Sequence, residues 1–435
     1  MMNGKDKGNS AFSIHNSELI VPEIRFKGFS EVWEEYPLST FIGSLDAGVS
    51  VNSGDRPASE GEFGILKTSC VTNGFFDPNE NKIVFKAKEI NRLKEPVLEN
   101  TIIISRMNTP VLVGANAYVS KGFPNYFLPD RLWAAKPTSI GDLKFIAYIL
   151  GSGKGRLALS DLATGTSGSM KNISKPSVLG LKFHTPQDKE QTQIGNYFQK
   201  LDSLINQHQQ KHDKLSNIKK AMLELMFPKQ GENIPEIRFK GFSGEWVNKS
   251  LADAAPLRGG FAFQSFQFCE AGVPIVKISN ILSTGEVGGE FNYFKETSND
   301  ENYLLPNGSA LLAMSGATTG KISILRSINN TKFYQNQRVG YFKRNSDLDY
   351  LFISTLVRSH LFSDKLNAVL VAGAQPNVSS KEIDFFEFRM PMDIEEQTKI
   401  GNYFQKLDTL INQHQQQITK LNNIKQACLS KMFAG

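Results

Sequence analysis

Residues 189–227 read KEQTQIGNYFQKLDSLINQHQQKHDKLSNIKKAMLELMF, and residues 395–433 read EEQTKIGNYFQKLDTLINQHQQQITKLNNIKQACLSKMF. The two stretches agree at 28 of 39 aligned positions, so the chain contains one segment twice. Such a repeat sets the architecture before any local propensity is weighed. Each copy is helical by its period. In the first, Ile194, Tyr197, Leu201, Leu204, His208, Lys211, Leu215, Ile218, Met222 and Leu225 recur at spacings of three and four. In the second, Ile400, Tyr403, Leu407, Leu410, His414, Gln417, Leu421, Ile424 and Cys428 do the same. This is a coiled-coil seam with polar interruptions at its middle. His208, Lys211, His414 and Gln417 are expected there, fixing the register. No proline interrupts either copy, and Pro228 closes the first. At 1.5 Å per residue each helix is roughly 55 Å long. So narrow an apolar stripe needs a partner. The other copy supplies one, and the antiparallel sense gives the pair a pseudo-twofold axis.

A second repeat lies outside the first. VPEIRFKGFSEVW at 21–33 returns as IPEIRFKGFSGEW at 234–246. Its Pro, Gly and aromatic content predicts an extended arm with an aromatic anchor. The chain therefore divides into a tail (1–20), a first globular domain with its arm (21–188), helix one (189–228), a second domain with its arm (229–394) and helix two (395–435). The regions between arm and helix share little identity but keep one order of features. Each has an early apolar run ending in a basic residue, GILKTS at 64 and PIVKIS at 274. Each has a strand-like centre, NTIIISRMN at 100 and GSALLAMSG at 308. Each has a glycine-rich junction, GTSGSMKNIS at 165 and AGAQPNVS at 372. Short β-rich runs between Gly, Asn and Pro clusters, with helical stretches such as KFIAYILGS and YLFISTLVRSHLFSDKLNAV, predict two mixed α/β globules. The fold class is α+β, with the two globules separated by the long antiparallel helices.

Composition narrows the function. A chain of 435 residues carrying 40% hydrophobic and 21% charged residues reads as a multidomain globular protein. A net charge of +6 permits a nucleic-acid partner without demanding one. Cys70, Cys269 and Cys428 are far apart, which argues for a reducing, cytoplasmic setting and against a zinc site. No apolar run reaches membrane-span length, and the N-terminus lacks the apolar core of a signal peptide. GSGKG at 151 and SGATTGKIS at 315 both miss P-loop spacing and its Ser/Thr, and read as a turn and strand end. The histidines at 15, 184, 208, 212, 360 and 414 form no liganding set. No catalytic residue, bound cofactor or metal is expected.

The order of arm, variable domain, EQxxIGxxF helix, arm, variable domain and EQxxI helix resembles the specificity subunit of type I restriction–modification systems. The resemblance covers about 21–433 and rests on the paired PEIRFKGF arms and EQTxIGNYF helix starts. LPNGSALLAMSGATTGK at 305–321 also resembles the family's second domain, whereas NTIIISRMNTPVLVG in the first lacks that tail. The resemblance implies two target-recognition domains that bind double-stranded DNA, one per half of a bipartite target. It implies helices that dock two modification subunits methylating adenine, and restriction/translocase subunits that join them. S-adenosylmethionine, ATP and magnesium would belong to those partners. The alternative is a protein–protein scaffold with no direct DNA readout, told apart by salt-dependent DNA affinity.

Side chains that read base edges or phosphates are Arg, Lys, Asn, Gln, Ser and Thr. In the first domain the candidates are Lys67, Thr68, Ser69, Arg106, Asn108, Arg131, Lys154, Arg156 and Lys171. In the second they are Lys277, Ser279, Asn280, Ser315, Thr318, Thr319, Lys321, Gln335, Asn336, Gln337 and Arg338. The densest run is KFYQNQRVG, which brackets four such residues with aromatics.

Overall fold

The computed structural model describes residues 21–72, 74–165, 170–229, 231–327, 331–372 and 377–433. The tail 1–20 and part of each glycine-rich junction (166–169 and 373–376) lie outside them. The repeats form two helices of 38 residues each, α1 (Asp188–Leu225) and α2 (Ile394–Lys431). The chain separates into two compact units, one comprising 1–208 with 417–435, the other 209–416. Each unit thus joins the start of one repeat helix to the end of the other.

Unit 1 shows why the EQTxIGNYF motif is written as it is. Acidic residues in a first turn suit the helix dipole, and Glu190 adds a fork-to-fork pair with Arg25 of the arm at 2.7 Å for both bonds. Gln191 accepts from the Asp142 amide and donates to the Pro186 carbonyl. It thereby pins the start of helix Leu143–Gly151, which Asp142 caps. Gly195 lets the two helices touch, since a Cβ there would lie 3.0 Å from Asp142 Oδ1 and 3.1 Å from the Phe145 amide. Phe198 stacks on Phe433 at the far end of the other repeat, with ring centroids 5.7 Å apart. The arm seals the helix end, where the Ile24 amide donates to the Lys431 carbonyl, one that the helix leaves unpaired. Trp33 follows, buried edge-on to Phe145.

Unit 2 repeats these contacts with other parts of the chain. Arg238 forks onto Glu396 at 2.6 and 2.7 Å. Gln397 accepts from the Asp349 amide. A Cβ on Gly401 would fall 2.6 Å from Leu351 Cβ. Ile237 donates to the Leu225 carbonyl, and Trp246 packs on Phe227 and Phe352.

Within each unit the paired helix segments run antiparallel, and one ion pair repeats. Lys425 meets Asp202 in unit 1, and Lys219 meets Asp408 in unit 2, both at 2.6 Å. The seam is broader than heptad spacing predicts, because Phe198 and Phe404 are fully buried beside half-buried Tyr197 and Tyr403. Lys211 and Gln417 are corrected: both are exposed, and the half-buried His212 and buried Ile418 take the inward positions. The change is local to mid-helix, since Leu215, Ile218 and Met222, like Leu421, Ile424 and Cys428, still pack inward beyond it.

The globules are built alike. In unit 1 Thr101–Ser105 lies between Asn116–Val119 and Leu132–Pro137, with Ile42–Ala47 at the edge, all antiparallel. In unit 2 Ala310–Ala313 lies between Ile322–Ile324 and Val339–Phe342, with Leu257–Gly259 at the edge. Alternation assigns the faces. Ile102 and Ile104 join the helix-side core, while Ile103 joins the core against a second sheet. Leu312 and Leu311 divide in the same way. Burial on both faces explains the unbroken apolar runs. GSGKG proves to be a helix junction rather than a turn and strand end, with Ser152 capping helix Gly153–Asp161. The stretch from 350 is two helices, Tyr350–Leu356 and His360–Ala372.

Asp408 also receives Arg358 Nη1 at 2.5 Å. Burial works to raise its pKa, but the Arg358 and Lys219 charges and their hydrogen bonds outweigh it and hold the carboxyl below 3.8. A depressed carboxylate stabilises the fold above its unfolded pKa and loses that contribution as pH falls through the folded one. Asp408→Asn is therefore expected to cost about 2–4 kcal/mol at neutral pH, by stranding two cations. In chemical denaturation at a series of pH values, the gap from wild type should narrow below pH 3.8.

Candidate nucleic-acid interface

Matching hydrogen bonds place one set of residues at equivalent positions in the two units. The Arg106 amide donates to the Arg131 carbonyl in unit 1, and the Met314 amide to the Arg338 carbonyl in unit 2, both at 3.0 Å. Ile173 donates to the Arg106 carbonyl as Val378 does to that of Met314. The 3-10 turn Thr68–Cys70 follows Lys67, as Ile278–Asn280 follows Lys277. Each unit thus presents one rim: a lysine at a strand end, an arginine at a turn before a central strand, and an asparagine, Asn172 or Asn377, at the junction.

Arg131 and Arg338 are both exposed, with no carboxylate at ion-pair distance among the described residues. Ser69, Ser279, Lys154, Lys321 and Gln337 are exposed beside half-buried Thr68, Ser315 and Asn336. Lys67 is held by Glu80 at 3.5 Å, and Lys277 by Asn292. In unit 1, Arg106 precedes the strand Met107–Asn108, which pairs with Lys171–Asn172. Lys171 pairs with Asn108 across a two-stranded ladder, and Arg106 lies 6.0 Å over the Trp133 ring. Arg156 donates to the Val111 carbonyl at 2.9 Å, and desolvation pulls its pKa below the usual arginine value. Arg106 Nε, Arg156 Nη1 and Asn172 Oδ1 are buried without partners. The two orphaned arginine donors suit an anionic ligand, whereas the Asn172 oxygen, an acceptor, does not. In unit 2, Met314 stands in place of Arg106.

Three candidates are corrected. Gln335 is 2% exposed, and its amide donates to the Arg258 and Val339 carbonyls. Asn280 is 1% exposed, accepting from the Lys277 amide and donating to the carbonyls of Gly288 and Glu290. Asn108 is 8% exposed, bonded to Ser105 and the Thr109 amide. These amides satisfy backbone and neighbours and cannot reach a base edge. Thr318 and Thr319 likewise bond carbonyls, of Ile278 and Gly316. What the sequence concealed was the exposed Phe266 and the exposed Phe261, the latter beside Gln337, since an apolar residue type predicts burial.

Two adjoining clefts of about 300 and 440 Å³ in unit 2 share Arg326, Arg358 and Asp408. Asp408 there is paired with Lys219 and Arg358, and Arg326 lies 3.8 Å from Glu286. Among the described residues no cluster is arranged to hold a metal, and no helix is long and apolar enough to cross a membrane.

A family model of the type I restriction modification DNA specificity domain matches residues 31–217 and 243–423, and the chain belongs to that family. The type I restriction enzyme MjaVIII specificity subunit of Methanocaldococcus jannaschii is 24% identical over 423 residues, covering 93% of each chain. The crystal structure of the type I restriction–modification system S subunit from M. genitalium superposes with a TM-score of 0.63 at 17% identity, over 95% of this chain and 99% of that one. This likeness shows the fold. The chain is a non-catalytic specificity subunit that recognises the DNA target and works with methyltransferase and restriction subunits.

Arg338→Ala is expected to weaken target binding by about 1–3 kcal/mol at 0.15 M salt and to leave melting unchanged. Gln335→Ala should do the reverse, lowering the melting temperature by uncapping buried carbonyls. Gel-shift and thermal-denaturation measurements on the two variants distinguish these outcomes.

Proposed function

We propose that the two units read the two halves of a bipartite, asymmetric DNA target, one half each. The helices α1 and α2 set the gap, about one helical turn. The observation that carries this reading is the rim itself: Arg131 and Arg338 hold one position on one scaffold, while the surrounding side chains differ. A common position suits a common approach to the duplex, and unlike neighbours suit unlike bases. The unpartnered donors of Arg106 and Arg156 support a phosphate contact in unit 1.

The near-identical repeats would offer like surfaces to two modification subunits, with restriction/translocase subunits joining them. Those partners would bind S-adenosylmethionine, ATP and magnesium, and would flip and methylate adenine. The three cysteines are free, which suits a reducing cytoplasm.

Co-expression with the methyltransferase partner, followed by genome-wide mapping of methylated adenines, tests the reading. The expected result is a split asymmetric motif with a fixed unspecified gap. A contiguous palindrome, or no methylation, would sink it.

A further inference from the structure

Unit 2 displays two phenylalanines on one short segment, GGFAFQSFQF at 259–268. Phe266 is 83% exposed and Phe261 is 46% exposed. Scattered apolar residues on a surface need no explanation, but Phe261 is held in place and Phe266 follows it on the same segment. Phe266 sits in the 3-10 turn Ser265–Gln267. Phe261 is bonded at both ends, its amide donating to the Gln335 carbonyl and its carbonyl accepting from the Gln337 amide, each at 2.9 Å. Gly260 permits that approach, since a Cβ there would lie 2.1 Å from the Gln335 oxygen. An aromatic floor lies beneath, with Phe263 and Tyr303 at 5.0 and 5.2 Å from the Phe261 ring. The platform is therefore built, and the strand that anchors it continues directly into exposed Gln337 and Arg338.

The feature belongs to unit 2, not to the scaffold. The amide equivalent to that of Phe261 is that of Val49, which donates to the Leu128 carbonyl. Residues 48–62 of unit 1 contain no aromatic at all. Aromatic faces beside an amide and a guanidinium match a nucleobase next to its phosphate. A paired base in a duplex hides its faces, so contact requires an opened step, into which apolar side chains insert. We propose that Phe266, with Phe261, stacks on a base of the half-site read by unit 2 and unstacks one base step there. The proposal rests on the reading that unit 2 binds DNA.

The test uses the full chain assembled with its methyltransferase partner and a duplex bearing the mapped target. 2-Aminopurine is placed at successive positions of the half read by unit 2. With wild type, fluorescence should rise several-fold at one step. The variant Phe261→Ala/Phe266→Ala should lose that rise and bind roughly 5- to 100-fold more weakly, with an unchanged salt slope because no charge is removed. Phe266→Trp should retain the rise. Tight wild-type binding with no responsive position would overturn this proposal alone, as would a rise that persists in the double variant. A double variant that loses its methyltransferase partner but keeps the fluorescence rise would mark the patch as a protein-docking face and also overturn it. A wild-type complex that does not bind the mapped duplex would overturn the half-site reading, and this proposal with it.

Discussion

Everything else in each unit depends on how a helix start from one repeat is locked to a helix end from the other. Phe198 on Phe433 and Phe404 near Phe227 form the centre of that lock, at 5.7 and 6.4 Å. Large aromatic rings supply most of the buried apolar area at such a junction. Neither repeat helix has an apolar stripe wide enough to stand alone. Because each unit takes its two helix segments from different copies, a change in the shared motif acts on both units. A change in a globule acts on one.

Polar groups give the lock its specificity. Glu190 and Glu396 are buried, and a buried carboxylate is tolerated only with a matched partner. Arg25 and Arg238 supply two parallel bonds each, from arms that also close the opposite helix end. One short arm thus fixes both ends of the junction. The Asp202 and Asp408 pairs then select the register along the helices, and they differ in their third partner: Tyr148 in unit 1, Arg358 in unit 2. The common part is kept and the globule-facing part varies, as expected where one framework carries two different domains.

The duplicated helices, the arms and the two mixed globules were all legible in the sequence, because period, identity and order report them directly. The roles of Glu190 and Gln191 were not, since their partners Arg25 and Asp142 lie 165 and 49 residues away. Gln335, Asn280 and Asn108 were misread for a different reason. An amide suited to adenine is equally suited to two backbone carbonyls, and only burial tells them apart. Arg131 and Arg338 were both found as candidates, but their equivalence needed the shared hydrogen-bond pattern. Phe266 was invisible because exposure cannot be read from an apolar letter.

The proposed function has one consequence above the others: the globules would be independent readers attached to a common spacer. Exchanging residues 243–394 for the corresponding stretch of a relative with a different target, and mapping methylated adenines by single-molecule sequencing, measures this directly. The account predicts that one half of the motif and the gap length stay as they were while the other half becomes the relative's. A change in both halves, or in the gap, would contradict it.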